Sequence, residues 1–245
     1  MTEKSFGERA ALFARSWLSG EKCAVCGEHS TGGESVICPS CREKLRRERK
    51  SICMRCGLRA DECVCVKPGM KEAGCFAFLK LFFYSHEGAP QNRIIFRLKN
   101  RKDRLLCSEL AGMIAPKLLS LLEDRLILPD EAVICPVPRS RKAASESGTD
   151  QAFELARALA KKTGIAQRPL IRRLSDGKPQ KGLDASGRRE NVKGLFGPGE
   201  SGADGFTVIL VDDVVTTGAT VCECARVLAG MGAAGTVCVA IASDE

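Results

Sequence analysis

Hydrophobic and polar residues alternate along this chain in two distinct textures. Up to about residue 66 apolar positions are sparse and cysteines frequent; beyond it, apolar runs and amphipathic stretches follow one another. Residues 76–84 (FAFLKLFFY) predict a strand, and APQNRIIFRLKNRKDR predicts a short helix running into a basic turn. A longer helix is predicted from about Leu105 to Leu122, with apolar residues at helical spacing. From Glu131 strand and helix alternate: the strand AVICPVP, then DQAFELARALAKKTG as an amphipathic helix stopped by Gly164. Between Leu174 and Arg189 the stretch SDGKPQKGLDASGRR has the periodicity of neither element and predicts a long loop, of the kind that usually carries function or is disordered. NVKGLF, a Gly-rich turn, the strand FTVILV, a helix from about Thr217 to Gly230 and the strand TVCVAIA complete the chain. Such alternation is how βαβ units read, and it predicts a parallel sheet flanked by helices. At the other end, residues 1–22 predict a short amphipathic helix whose Phe6, Phe13, Trp17 and Leu18 seek a partner surface.

Composition narrows the class. Hydrophobic residues make up 44% and charged residues 28%, ordinary for a soluble globular protein. No apolar run approaches bilayer length, and the AALFA stretch is broken by Arg9 and Arg15, so neither a transmembrane segment nor a secretory signal is expected and the chain reads as cytoplasmic. A formal charge of +8 suits an anionic ligand or partner, phosphate and nucleic acid alike, and equally suits a merely well-solvated basic surface. Of 14 cysteines, eight lie between Cys23 and Cys65. In a reducing compartment that clustering points to metal rather than disulfides.

Cys23-x2-Cys26, eleven residues, then Cys38-x2-Cys41 gives two knuckles at a spacing suited to tetrahedral Zn²⁺. Cys53-x2-Cys56, six residues, then Cys63-x-Cys65 is less regular, because a one-residue gap strains ligation of one ion by both thiolates. Two structural zinc ions with sequential pairing are expected, and an interleaved arrangement stays open. His29, a lone loop histidine, reads as exposed rather than as a ligand. So small a module has little apolar content, so that metal would supply its folding energy. RRERK, residues 46–50, joins the two sets and forms a basic rim suited to phosphates.

The most specific segment is VILVDDVVTTGAT, residues 208–220. Val208, Ile209, Leu210 and Val211 form a strand without a polar face, as in a parallel sheet covered on both sides, and its C-terminal end should open on a ligand crevice. There stand Asp212 and Asp213, two carboxylates suited to accept hydrogen bonds from vicinal sugar hydroxyls. Thr216, Thr217, Gly218, Ala219 and Thr220 then open a helix, whose unpaired N–H groups and partial positive charge suit a phosphate monoester. Alternatively the same residues are a plain strand end, with Thr216 or Thr217 as an N-cap.

Taken whole, the segment resembles the 5-phosphoribosyl 1-pyrophosphate (PRPP) fingerprint of type I phosphoribosyltransferases. That resemblance implies that Asp212 and Asp213 hold the ribose hydroxyls, that residues 216–220 cradle the 5′-phosphate, and that Mg²⁺ arrives with the pyrophosphate. Purine salvage enzymes of that fold have Asp where this chain has Thr216, which cannot act as a general base. CPVPRSR, with Arg139, Arg141 and Lys142, lies where such folds place their pyrophosphate loop. The loop carrying Arg172, Arg173, Lys178, Lys181, Arg188 and Arg189 reads as a flap over the site.

In their order, CPVPRSR, DQAFELARALA, RRLSDGKPQKGL, RRENVKGLF and the PRPP segment resemble the ComF family over nearly the whole chain. The resemblance implies a type I phosphoribosyltransferase fold over residues 75–245, preceded by a double zinc ribbon over 23–66. It also implies PRPP binding linked to natural competence and DNA uptake, with single-stranded DNA and competence-machinery proteins as partners. An alternative is an active Mg²⁺-dependent phosphoribosyltransferase acting on a nucleobase or amine. Where the family commonly reads Arg-Gly-Phe-Asn-Gln-Ala, this chain has Ser147, Gly148, Thr149, Asp150, Gln151 and Ala152.

Overall fold

A computed structural model describes residues 22–29, 35–84, 88–140, 150–175 and 191–244. The expected helix at 1–22, Arg141, Lys142 and the flap residues Arg188 and Arg189 lie outside the described residues. In chain order the elements are α1 (Pro39–Glu48), α2 (Pro68–Glu72), β1 (Cys75–Phe83), α3 (Pro90–Asn100), α4 (Arg104–Asp124), β2 (Ala132–Pro136) and α5 (Gln151–Thr163). They continue with β3 (Ile171–Arg173), β4 (Phe196–Pro198), β5 (Thr207–Val211), β6 (Val214–Val215), α6 (Ala219–Gly230) and β7 (Gly235–Ser243).

Strands β1, β7, β5 and β2 lie in that order and pair in parallel, and β6 extends the ladder along β7. Every residue of β5 is buried, which explains why its sequence shows no polar face. Successive side chains go to opposite faces. Ile209, Val211, Val237, Val239 and Ile241 enter one core with α3, α4 and α5; Val208, Leu210, Cys238 and Ala240 enter a second with α2 and α6. The helices and strands predicted within the described residues all appear, and Gly164 ends α5 in the left-handed conformation expected of a C-cap.

Three features depart from expectation. Phe196–Pro198, from the end of NVKGLF into the Gly-rich turn, forms a strand, β4, which pairs antiparallel with β3 and closes the base of the predicted flap. At 21 residues α4 is long and apolar enough to cross a membrane by length and composition, contrary to the reading of the linear sequence. Its Leu106, Leu110, Ile114, Leu118 and Leu121 are nevertheless buried in the first core, with Pro116 tolerated within the helix. Finally, the first cysteine pair-set is not starved of apolar contacts. Ile37, Cys41 and Leu45 join the core of α3 and α4, and α1 rests on α3.

That shared core has a measurable consequence. Leu45 is 1% exposed, so Leu45→Ala should destabilise the main unfolding transition by about 2–5 kcal/mol in urea titrations. An unchanged transition would show that the cysteine module unfolds independently.

Candidate functional site

The strand end that carries the two aspartates is asymmetric. β2 pairs with β5 only as far as Pro136 opposite Val211, while the other edge keeps one register along β7 through to Val215 opposite Ser243. Main-chain bonds from Asp212 N to Val239 O (2.9 Å) and from Ile241 N to Asp213 O (3.0 Å) carry the ladder across the aspartates. Their backbone is therefore fixed on one side only. On the other side the sheet has split, the position at which parallel α/β sheets hold ligands.

The carboxyls are arranged locally. Asp213 N donates to Asp212 Oδ1 and Val214 N to Asp213 Oδ1, each at 2.8 Å. Burial, and then the negative charge of Asp213, push the Asp212 carboxyl well above the ordinary carboxylate range, although an Asp213 main-chain N–H and the charge of Lys99 act the other way. Lys99 stands at the end of α3 in the predicted basic turn, which is pinned from two directions. Gln151 Nε2 donates to Leu98 O at 2.8 Å, and the buried carboxylate of Glu154 meets Lys102 at 3.2 Å and Arg104 at 3.5 Å.

Asp150, which the sequence flagged only as a departure from a family pattern, also belongs to the site. Its side chain caps α5 by accepting from Phe153 N at 3.0 Å. Burial pushes its carboxyl up, the Phe153 N–H and Arg139 pull it down, and Asp213 adds to the rise. Arg139 thus stands within electrostatic reach of the acidic group, in keeping with its expected place beside the strand end.

Thr216, Thr217, Gly218, Ala219 and Thr220 make the turn into α6. Neither threonine is the N-cap. Gly218 takes that position with φ +78°, and Thr217 Oγ1 accepts from Ala219 N at 3.4 Å. Glycine is needed here for two reasons: its left-handed backbone, and a Cβ that would lie 3.0 Å from Met70 Sδ in α2. The neighbour that a Cβ here would meet is the helix following the second cysteine set. The result is an α-helix N-terminus beside two carboxylates, with hydroxyls at its lip: an arrangement able to seat a sugar phosphate.

The eight clustered cysteines form two sets, Cys23, Cys26, Cys38, Cys41 and Cys53, Cys56, Cys63, Cys65, each with its sulfurs within 4.8 Å of one another. Pairing is sequential. Cys26 Sγ and Cys38 Sγ stand 3.9 Å apart, near the edge of about 3.8 Å that follows from tetrahedral Zn–S bonds of about 2.3 Å. Burial opposes ionisation in both sets, yet main-chain N–H groups bring Cys23 and Cys53 down to about 7. Cys65 is pushed up to about 12 by burial and then by its neighbouring thiols, a cost that a bound cation would offset. Both sets can therefore bind zinc. The one-residue gap between Cys63 and Cys65 is accommodated. The buried Lys80 ammonium in β1, packed against the rings of Phe78 and Phe83, donates to Cys63 Sγ at 3.2 Å. His29 is exposed and belongs to neither set. Of the expected basic rim, Arg46 and Arg47 pair with Glu43 and Arg49 with Asp61, so much of its charge is already matched.

With this geometry in view, comparison with known proteins is informative. A Phosphoribosyl transferase domain model matches residues 150–244. "DNA utilization protein YhgH" of Salmonella typhi is 30% identical over 204 residues, covering 81% of this chain and 86% of its own. "Competence protein ComFC" of Bacillus subtilis is 25% identical over 210 residues, covering 83% and 82%. "Competence protein F" of Haemophilus influenzae is 26% identical over 220 residues, covering 86% and 92%.

The raised Asp212 carboxyl carries a sign. The unliganded fold holds a proton there more tightly than the unfolded chain, so this group's contribution to stability is fully present below the ordinary carboxylate range and is lost as pH rises through the raised value. Asp212→Asn should accordingly raise Tm at pH 7 by about 2–4 °C, the shift that about 1 kcal/mol brings in a chain of this size. The gain should shrink as the pH is lowered. Thermal scans from pH 5 to 8 would show an equal or lower Tm for the variant if the carboxyl is not strained.

Proposed function

The chain belongs to the ComF family, and from that premise we propose that it binds PRPP at residues 212–220 and works in the handling of DNA during competence or DNA utilisation. One observation carries the reading: the sheet splits at Asp212 and Asp213 and leads directly into a glycine-capped helix N-terminus. In this reading the two carboxylates accept from the ribose hydroxyls. Residues 216–220 hold the 5′-phosphate through main-chain N–H groups and threonine hydroxyls. Arg139, with Arg188 and Arg189 of the flap, meets the pyrophosphate. Mg²⁺ would be held largely by the phosphates of the ligand itself, and its charge beside Asp212 would favour the ionised carboxyl that burial and Asp213 disfavour.

Thr216 offers no carboxylate to take a proton from an acceptor base, so binding is the function proposed and transfer is not. The names of the relatives, concerned with DNA utilisation and competence, support single-stranded DNA and competence-machinery proteins as partners. The unbroken sharing of core between the first cysteine set and the sheet supports a zinc module that acts with the PRPP site rather than as a separate tether. A reducing cytoplasm suits fourteen cysteines of which every described one is unbridged.

Titration calorimetry with PRPP tests the reading. Binding is expected in the presence of Mg²⁺, with at least a 10-fold loss in Asp213→Ala; no heat with the wild-type chain at millimolar PRPP would overturn it. The metal reading has its own test. The purified chain should carry two zinc ions, and Lys80→Met should speed the loss of one of them to a chelator several-fold by removing the ammonium beside Cys63. One ion or none in the wild-type chain, or equal release rates, would count against it.

A further inference from the structure

Beside the turn into α6 lies a cleft of about 490 Å³, with Thr217 and Ala219 in its lining. Its described walls come from four stretches of the chain. Arg55 sits inside the second cysteine set, between Cys53 and Cys56, and Lys67 and Glu72 come from the start and end of the α2 segment. Arg226 lies on the face of α6 that also presents Ala219 and Cys222, while Lys193 comes from the segment leading out of the flap. Thr217 closes one end.

Among the described lining residues, four cations meet one carboxylate, that of Glu72, and Arg226 also pairs with Glu223 at 3.3 Å. Two of them are oriented by groups that cancel no charge: Arg55 Nη1 donates to Val66 O at 3.0 Å and Lys67 Nζ to Asp244 O at 2.8 Å. No aromatic side chain is among the described residues lining the cleft, so these offer nothing on which a base can stack. Recognition there is of charge, over a length greater than one phosphate.

We propose that this cleft is a second anion site that takes a run of linked phosphates, adjoining the PRPP site and meeting it at Thr217 and Ala219. A nucleic-acid backbone and a free oligophosphate share that chemistry. The inference rests on the DNA-handling reading only for the choice between those sources, and the site stands without it. Because Arg55 is held within a cysteine set, the second metal module acquires a role in binding, fixing one wall of the cleft against α6.

The test uses the full-length zinc-loaded chain, with inorganic tripolyphosphate and a 15-residue oligo(dT) as probes at about 50 mM salt. Replacing both Arg226 and Lys193 by Gln should weaken binding of tripolyphosphate at least 10-fold and leave PRPP affinity unchanged. If a strand is the natural source, oligo(dT) binding should weaken as well, and the slope of log K against log[salt] should flatten by about 0.7 for each phosphate that the variant no longer neutralises. Weakening for tripolyphosphate alone would support the site and assign it to free oligophosphates. Equal affinity of variant and wild type for both probes would overturn the proposal. Zinc content and Tm of the variant show that its fold is kept, and a conservative Arg226→Lys, Lys193→Arg pair should retain binding. A wild-type chain that takes up tripolyphosphate but not PRPP would break the PRPP reading and leave the cleft standing.

Discussion

Everything proposed for this molecule depends on how β5 is paired. Both of its edges are hydrogen-bonded in parallel until Val211, and then β2 stops while β7 continues. A strand held on both edges cannot slip, because a one-residue shift would exchange its two buried faces, Val208 and Leu210 against Ile209 and Val211. Its register therefore fixes where Asp212 and Asp213 emerge. The loss of one partner strand at that same point opens the sheet to a ligand and leaves two carboxylates crowded together. Burial first, and the charge of Asp213 second, push the Asp212 carboxyl up, and a cation or hydroxyl donors at this strand end would oppose that rise.

The same constraint organises the parts around it. α2 lies under the turn, where Met70 meets Gly218, so the segment after the second cysteine set buttresses the turn into α6. Lys80 reaches from β1 to Cys63, and Phe78 N donates to Val64 O at 3.1 Å, so that set is bound to the edge of the sheet. The first set joins the core on the opposite face through Ile37 and Leu45. Metal at either set would stiffen a wall of the sheet as well as close a loop. That is a different role from the self-contained ribbon suggested by the module's own sparse apolar content.

Much of this was legible in the sequence, for identifiable reasons. Long apolar periodicities gave β1, α4, α5, β5 and β7, and Cys-x2-Cys knuckles gave the two sulfur sets. The thirteen residues from 208 to 220 gave the strand, the acidic pair and the turn together. What escaped was of two kinds. Short elements leave no periodic signal, and so β3, β4 and the two-residue β6 were hidden among Gly, Pro and charged residues. Convergence in space leaves none either. Lys99 and Asp150 approach the acidic pair because the end of α3 and the start of α5 meet there, and a cue existed only in Gln151, a buried polar residue that ties those two helix ends together. The rim at residues 46–50 misled in the opposite way, since a run of positive letters does not show that Glu43 and Asp61 lie beside it.

Hydrogen–deuterium exchange across residues 212–220, with and without PRPP and Mg²⁺, bears most directly on the claim that this strand end and turn form the seat of a sugar phosphate. The account predicts that saturating PRPP slows exchange of the main-chain amides of Thr217, Gly218, Ala219 and Thr220, which a bound phosphate would accept from, and that Asp213→Ala abolishes the effect. Unchanged exchange in that segment, with protection appearing elsewhere on the molecule, would contradict it.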